Sequence, residues 1–299
     1  MSRLFTCLAI VMLLASPLGA QQPTERVELR RAAARDISVR ISGTIGTLRI
    51  IGSPAESLVV TGTIPRGARF DGFDAGKGPE PLRGAKMFVD VPDDRVLASG
   101  TLEMRVPAGA RVWAKAGIAT IEVTGLTGGL DLNIVGGSIR VDASPRDLNI
   151  ESMDGTVTVN GNPSWLRVKT AAGDIVMNGS SEDAAFTSVS GTTRVGGGRF
   201  DRARLESVTG AIEFSGTPVR GGSLTFDSHS GGITLRLDPG AGGEIEATSI
   251  AGTIENQLTR QRPGTGRDGR GQELSTVIGG GGAHIVVRTF KGVVRLETR

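Results

Sequence analysis

Across residues 119–256 a five-residue phrase recurs at a nearly fixed interval, and nothing else in the chain limits its fold as much. The phrase is a glycine, any residue, an apolar residue or threonine, a variable residue, and usually a second apolar one. It reads Gly137-Ser-Ile139-Arg-Val141, Gly155-Thr-Val157-Thr-Val159, Gly173-Asp-Ile175-Val-Met177 and Gly191-Thr-Thr193-Arg-Val195. It continues as Gly210-Ala-Ile212-Glu-Phe214, Gly231-Gly-Ile233-Thr-Leu235 and Gly252-Thr-Ile254-Glu-Asn256, while Ala119-Thr-Ile121-Glu-Val123 opens the series with alanine in glycine's place. The key positions are 18, 18, 18, 18, 19, 21 and 21 residues apart. A fixed period near 20 residues marks a solenoid, whose units bury their apolar faces only against their neighbours.

The residues before each glycine fall into columns. Seven places before it stand Leu130, Leu148, Leu166, Ala184, Ala203, Leu224 and Ile245, and five places before it Leu132, Ile150, Val168, Phe186, Leu205, Phe226 and Ala247. Three places before it stand Ile134, then Ser152, Thr170, Ser188, Ser207, Ser228 and Ser249. Mostly polar residues separate them, so each unit reads as short strands with one buried face. Val157, Val159, Val168, Ile175, Leu205, Ile212, Phe214 and Phe226 are expected inside, with Arg140, Thr158, Arg194, Glu213 and Glu255 facing solvent. The Ser/Thr column is expected to point inward at a corner, and the glycines to mark places of positive φ or close backbone approach. Neighbouring opposite charges, Glu122 beside Arg140, Arg194 beside Glu213 and Glu151 beside Lys169, tune register more than stability.

This architecture accounts for the composition. The 45 glycines have places in the repeat, and the lack of tyrosine with only 4% aromatics suits a core built between stacked coils. The start of the chain, Met1-Ser-Arg3, an apolar run over residues 4–15 and Ser-Pro-Leu-Gly-Ala20, reads as a signal peptide cleaved after Ala20. The run is too short for a span, which needs about 20 apolar residues. Cys7 is the only cysteine, so the mature chain is expected to lack disulfides and thiolate chemistry. Net charge is +3, and +2 once Arg3 is removed, which gives no reason to expect a specific nucleic-acid partner.

In chain order, irregular N-terminal coils are expected over 24–115, regular coils over 116–256, a loop insertion over 257–282 and a last coil over 283–299, all within one domain spanning 24–299. Residues 257–272 carry Arg260, Arg262, Arg267 and Arg270 against Asp268, with Pro263, four glycines and only Leu258 as a large apolar residue. Such a segment is expected to project as a mobile loop. Its four guanidinium groups are candidate contacts for an anionic polymer.

Other chemistry is thin. His229 and His284 are the only histidines and fall in different columns, so neither a metal site nor a catalytic triad is expected. His229 stands in an otherwise mostly apolar column and reads as a partly buried packing residue. Gly264-Thr-Gly266-Arg-Asp-Gly269 matches a phosphate-binding pattern without the strand–helix unit that gives it meaning. Asp71, Asp74, Asp90, Asp93 and Asp94 lie in solvated turns that could hold a hard cation only loosely. No cofactor is expected. A carbohydrate-active β-helix enzyme is the alternative, and it would need clustered carboxylates on one face. Trp113 and Trp165 are the only tryptophans available to stack on sugars.

Leu102-Glu-Met-Arg-Val-Pro-Ala-Gly-Ala110, the Ser-Val-Ser-Gly191 type of corner with its variants at Gly155 and Gly210, and the closing Gly282-Ala-His-Ile-Val-Val-Arg-Thr-Phe-Lys-Gly292 resemble the bacterial putative-adhesin domain. This is the DUF4097-like family of unknown function, within the wider group that includes the bactofilins. The resemblance covers roughly residues 40–299. It implies an all-β, right-handed parallel β-solenoid in the cell envelope or outside the cell, and it brings no catalytic residues. The expectation is a non-catalytic structural or adhesive module. Its partner would be an envelope or surface polymer or another protein, with end-to-end self-association open to it.

Overall fold

The computed structural model describes residues 24–74, 79–91, 100–266 and 269–299. The expected leader, Asp93, Asp94 and Arg267 lie outside the described residues. Described residues form strands and turns, with no helix among them. The N-terminal part holds β1 (Thr24–Gly43), β2 (Thr47–Ser53), β3 (Ser57–Pro65), β4 (Arg69–Asp74), β5 (Leu82–Asp90) and β6 (Thr101–Pro107). The central part holds β7 (Arg111–Thr124), β8 (Gly129–Asp142), β9 (Asp147–Ser152), β10 (Thr156–Asn160), β11 (Trp165–Thr170), β12 (Ile175–Asn178), β13 (Ser181–Ser188), β14 (Thr193–Ser207), β15 (Ile212–Ser228) and β16 (Ile233–Leu237). The C-terminal part holds β17 (Gly243–Ser249), β18 (Ile254–Asn256), β19 (Gly264–Thr265), β20 (Gln272–Ile278), β21 (Ala283–Thr289) and β22 (Val294–Thr298).

In the centre, each coil pairs in parallel with the next at the interval of the repeat. Leu148 lies beside Leu130 and Leu166, Leu166 beside Ala184, Val157 beside Ile139 and Ile175. This is a β-solenoid-like stack. Val157, Val159, Val168, Ile175, Leu205, Ile212, Phe214 and Phe226 are all fully buried in one continuous apolar core. Arg140, Arg194 and Glu255 are exposed, while Thr158 and Glu213 are half-buried between neighbouring strands.

The corner follows from two columns. Ser152, Thr170, Ser188, Ser207, Ser228, Ser249 and Thr289 are buried. The amide of Gly155 donates to Ser152 Oγ at 2.8 Å, and Thr170 Oγ1 and Ser188 Oγ donate to the carbonyls of Gly173 and Gly191 at 2.7 and 2.9 Å. At Ser152, Thr170 and Ser188 the short side chain satisfies a corner group that the ladder leaves unpaired, whereas the buried hydroxyls of Ser207 and Ser228 have no hydrogen-bond partner among the described residues. The glycines are required by close approach: a Cβ on Gly173, Gly191 or Gly210 would lie 2.1 Å from the carbonyl oxygen of the glycine one coil earlier. Of the two reasons expected for them, positive φ applies in this column only to Gly137.

The ends depart from the sequence reading. The coil of β21 and β22, expected last, is inserted one place inward. β21 lies between β15 and β17, pairing in parallel with both, and β22 lies between β16 and β18. The glycine column records this order, since a Cβ on Gly292 would meet the Gly231 carbonyl at 2.2 Å and one on Gly252 would meet that of Gly292 at 2.1 Å. The N-terminal end has the same plan. Residues 38–43 of β1 lie between β5 and β7, and β2 lies between β6 and β7. Outside these coils run antiparallel strands: β4 on β5, and β3 on β6 and on the first half of β1. At the other end β20 runs antiparallel on β17 and carries β19. The fold is therefore a parallel stack with antiparallel caps, and the caps cover edges that would otherwise expose unpaired backbone groups.

Residues 257–282 are accordingly more than a loop. They turn back to supply β19 and β20. Asn256 organises the turn: its Oδ1 accepts from the amide of Leu258 at 3.1 Å, and its Nδ2 donates to Thr259 Oγ1 and to the Gln261 carbonyl, each at 2.8 Å. Leu258 packs against the core. Glycine content argued for a projecting segment. A partly buried leucine, an asparagine-built turn and a sheet edge to pair with hold its described residues against the stack instead.

Candidate binding surfaces

The first flat face of the coils carries a groove lined by aromatic, charged and amide side chains. Trp113 on β7 stands beside Arg40 on β1 and Asp131 on β8, and Trp165 on β11 stands beside Asp147 on β9. Gly129 lies between Arg111 and Asp147, and its missing side chain leaves a floor bounded by Asp131, Asn149 and Leu130. Both tryptophans line this one hollow of about 720 Å³. Two strands lie between theirs, and with a two-residue offset along the strands the span is about 16 Å at normal strand geometry. Trp165 is 38% exposed and carries the Arg167 guanidinium over its ring at 4.3 Å.

Charges in and beside the groove are tuned differently. Burial pushes the Asp131 carboxyl above the ordinary range, the nearby Glu151 adds to this, and a hydrogen bond from Asn149 Nδ2 at 3.3 Å partly offsets it. Asp147 is paired with Arg146 at 2.9 Å. Asp183, just beyond Trp165, is pulled up by burial, but hydrogen bonds from Arg167 and Arg202 outweigh that and hold it below the ordinary range. Its ion pairs measure 2.7 Å to Arg167 and 3.1 Å to Arg202. The arrangement can bind a polar chain: flat rings at two ends, and hydrogen-bonding groups of both signs between them.

A second surface runs along the corner. Two places before the glycines, Val135, Met153, Val189, Val208, Phe290 and Ile250 are each 39–57% exposed. His229 belongs to this ridge and is exposed, its ring stacked on that of Phe290 at 5.1 Å. The reading of His229 as a packing residue is thus corrected. The strand alternation that buries the Ser/Thr column turns the next residue outward, whatever its polarity. His284 lies six places earlier in its own coil, on the flat face, about 20 Å from the ridge at 3.3 Å per residue.

Of the four arginines expected to contact an anionic polymer, Arg260 and Arg262 are exposed on the turn after β18 and Arg270 is exposed between β19 and β20, at the C-terminal cap and away from the tryptophan groove. Among the described residues no group of three or more His, Cys, Asp or Glu side chains is placed to hold a metal ion. No helix among them is long and apolar enough to cross a membrane. Sequence reasoning knew both tryptophans but not that they share a groove, because 52 positions of chain separate them.

No curated protein matches the chain. Among solved structures, it is similar to a putative lipid binding protein from Parabacteroides distasonis at TM-score 0.48 and 9% identity, covering 91% of this chain and 96% of that one. It is similar to a putative adhesin from Bacteroides fragilis at TM-score 0.43 and 12% identity, covering 94% and 100%. A putative adhesin from Parabacteroides merdae gives TM-score 0.40 and 12% identity, covering 93% and 97%. The family described as Toastrack DUF4097 matches residues 24–296, nearly the whole of the chain outside the expected leader. The chain belongs to the Toastrack DUF4097 family.

Proposed function

We propose that the protein is a non-catalytic binding module of the cell envelope or cell exterior. It is a single right-handed β-solenoid domain that holds a glycan or similar surface polymer in the groove between Trp113 and Trp165. The observation that carries this reading is the meeting of both tryptophans on one groove floored by Asp131, Asn149 and Gly129. Family membership supports a β-solenoid-like frame, and the strong right-handed preference of parallel crossovers supports the hand. Export is supported by the apolar run at the start of the sequence. Mass spectrometry of the exported protein should find a first residue near Gln21.

The test of binding is a glycan and envelope-polymer array probed with the chain starting at Gln21. Trp113→Ala and Trp165→Ala should each weaken the polymer signal about tenfold or more, as for loss of a principal aromatic contact. Undiminished binding by both variants would overturn the assignment. Arg260, Arg262, Arg267 and Arg270 are proposed as an accessory contact for an anionic polymer. Replacing all four by alanine should flatten the salt dependence of binding, since exposed charges act within about 8 Å at physiological ionic strength.

A second reading, a carbohydrate-active enzyme, is favoured by one observation: Asp131 and Asp147 lie on adjacent strands of the groove in different environments, one pushed up by burial and one paired with Arg146. Release of shorter oligosaccharides from a bound polymer, abolished by Asp131→Asn, would establish it in place of the first.

A further inference from the structure

The corner ridge is a separate surface from the groove, and its occupant can be argued from charge. In spatial order, with the inserted coil in its place, the ridge reads Val135, Met153, Ala171, Val189, Val208, His229, Phe290, Ile250. Backbone hydrogen bonds along the corner fix this order: Phe290 follows Ser228, and Ile250 follows Thr289. The eight positions span about 34 Å at normal strand spacing.

Two columns flank the ridge. Two places before it, in the same order, stand Asn133, Glu151, Lys169, Thr187, Glu206, Asp227, Arg288 and Thr248. One place after it, the charged members are Asp154 in the second coil and Lys291 in the seventh, the rest being neutral. A second copy laid antiparallel, ridge to ridge, about a two-fold axis between Val189 and Val208 sets position one against eight, two against seven, and so on. Lys169 then faces Asp227, Glu151 faces Arg288, and Asp154 faces Lys291. All three charged matches are of opposite sign. On the ridge itself Ala171 meets His229, Met153 meets Phe290, and valine meets valine at the axis. Moving the axis by half a coil either way sets Glu151 against Asp227 or Lys169 against Arg288, so one register is selected.

We infer that the ridge is a docking surface for a second copy of this chain, in an antiparallel two-fold dimer centred between Val189 and Val208. Among the described residues Asp227, Arg288 and Asp154 have no ion pair within the chain, and Glu151 and Lys169 share only an exposed pair with each other at 3.9 Å, so these charges are available to a partner. A hollow of about 510 Å³ bounded by Glu206, Asp227, His229 and Phe290 lies on one half of the ridge, and Met153, 57% exposed, projects from the half that would face it. A strip of this length and about 15 Å width would bury about 1,000 Å² over both partners, near the lower limit for a specific interface. End-to-end growth, the other association open to a solenoid, would meet antiparallel strands at both ends.

The test is sedimentation equilibrium of the chain starting at Gln21 up to about 100 μM, a range that covers the weak association typical of an interface at the lower size limit. Val189→Arg, at an exposed site, should leave a monomer with unchanged circular dichroism. Asp227→Lys should raise the dimer dissociation constant about tenfold or more, because the two-fold axis makes each mismatch occur twice. The double variant Lys169→Asp with Asp227→Lys should restore it to within about threefold, because the two charges face each other across the axis. A wild-type chain that stays monomeric, or a dimer indifferent to Asp227→Lys, would overturn the inference. So would a monomer whose ridge binds neutral phosphatidylcholine vesicles and loses them on Val189→Arg, which would make the ridge a lipid contact.

Discussion

The inserted position of the C-terminal coil can be tested by cross-linking. His284 on β21 is the neighbour of Ser223 on β15 and of Glu244 on β17, so β21 separates the other two. All three side chains are exposed. Adjacent strands lie about 4.8 Å apart and strands one removed about 9.6 Å apart. A disulfide tolerates Cα separations up to about 7 Å. Ser223→Cys with His284→Cys should therefore oxidise to a cross-link, while Ser223→Cys with Glu244→Cys should stay reduced. A stack in sequence order reverses both outcomes. The chain from Gln21 lacks Cys7, so no other thiol competes. Closing a loop of about 60 residues constrains the unfolded chain by roughly 4 kcal/mol, less any strain in the bridge. That corresponds to a rise in melting temperature on the order of 10 °C for a domain of this size. The assay is non-reducing electrophoresis after mild oxidation, with thermal unfolding before and after reductant. Cross-linking of the 223 and 244 pair, with the 223 and 284 pair reduced, would refute the insertion.

Four further outcomes follow from packing and charge. Phe226→Ala should cost about 3–5 kcal/mol in urea unfolding, because Phe226 is fully buried and edge-on to Phe214 at 5.2 Å. Gly191→Ala should cost at least about 1–3 kcal/mol by forcing coils apart, whereas Gly117→Ala, with nothing within 4 Å of its Cβ, should be close to neutral. The Asp183 carboxyl is held below its unfolded value, so its stabilisation is present above the unfolded value of about 3.9 and is lost as pH falls through the lower folded one. Arg202→Ala should shrink the stability difference between pH 7 and pH 2.5 measured by urea unfolding. Asp131 has the opposite sign: its folded pKa is raised, so ionisation costs stability once pH passes the unfolded value, and the full cost is present above the folded one. Asp131→Asn should stabilise the protein at pH 7 and gain nothing at pH 3.

Much was legible in the sequence because a solenoid writes its structure in columns. Period-2 alternation placed Phe226 and Leu205 inside and Arg194 and Glu255 outside, and a shift of one residue would have exchanged the faces. The Ser/Thr corner and the glycine column were legible for the same reason. His229 was misplaced because apolar neighbours in its column were read as burial. The phase of the alternation already pointed it outward, and exposed apolar residues are common enough that composition alone does not decide.

What only the tertiary structure decided is which coil lies beside which. Every coil presents the same inward columns, so a repeat specifies what a neighbour must look like without specifying which neighbour it is. Gly292 satisfies the corner between Gly231 and Gly252 as well as it would beyond Gly252. The choice falls to the free edge. β20 can run antiparallel only on the outermost coil, and placing it on β17 leaves the chain to return inward as β21. The same non-local step orders the ridge charges so that Lys169 matches Asp227 and Glu151 matches Arg288. Stacking also brings Trp113 and Trp165 to one groove. Contacts between residues far apart in sequence are set by which strands pair, and local periodicity carries no record of that.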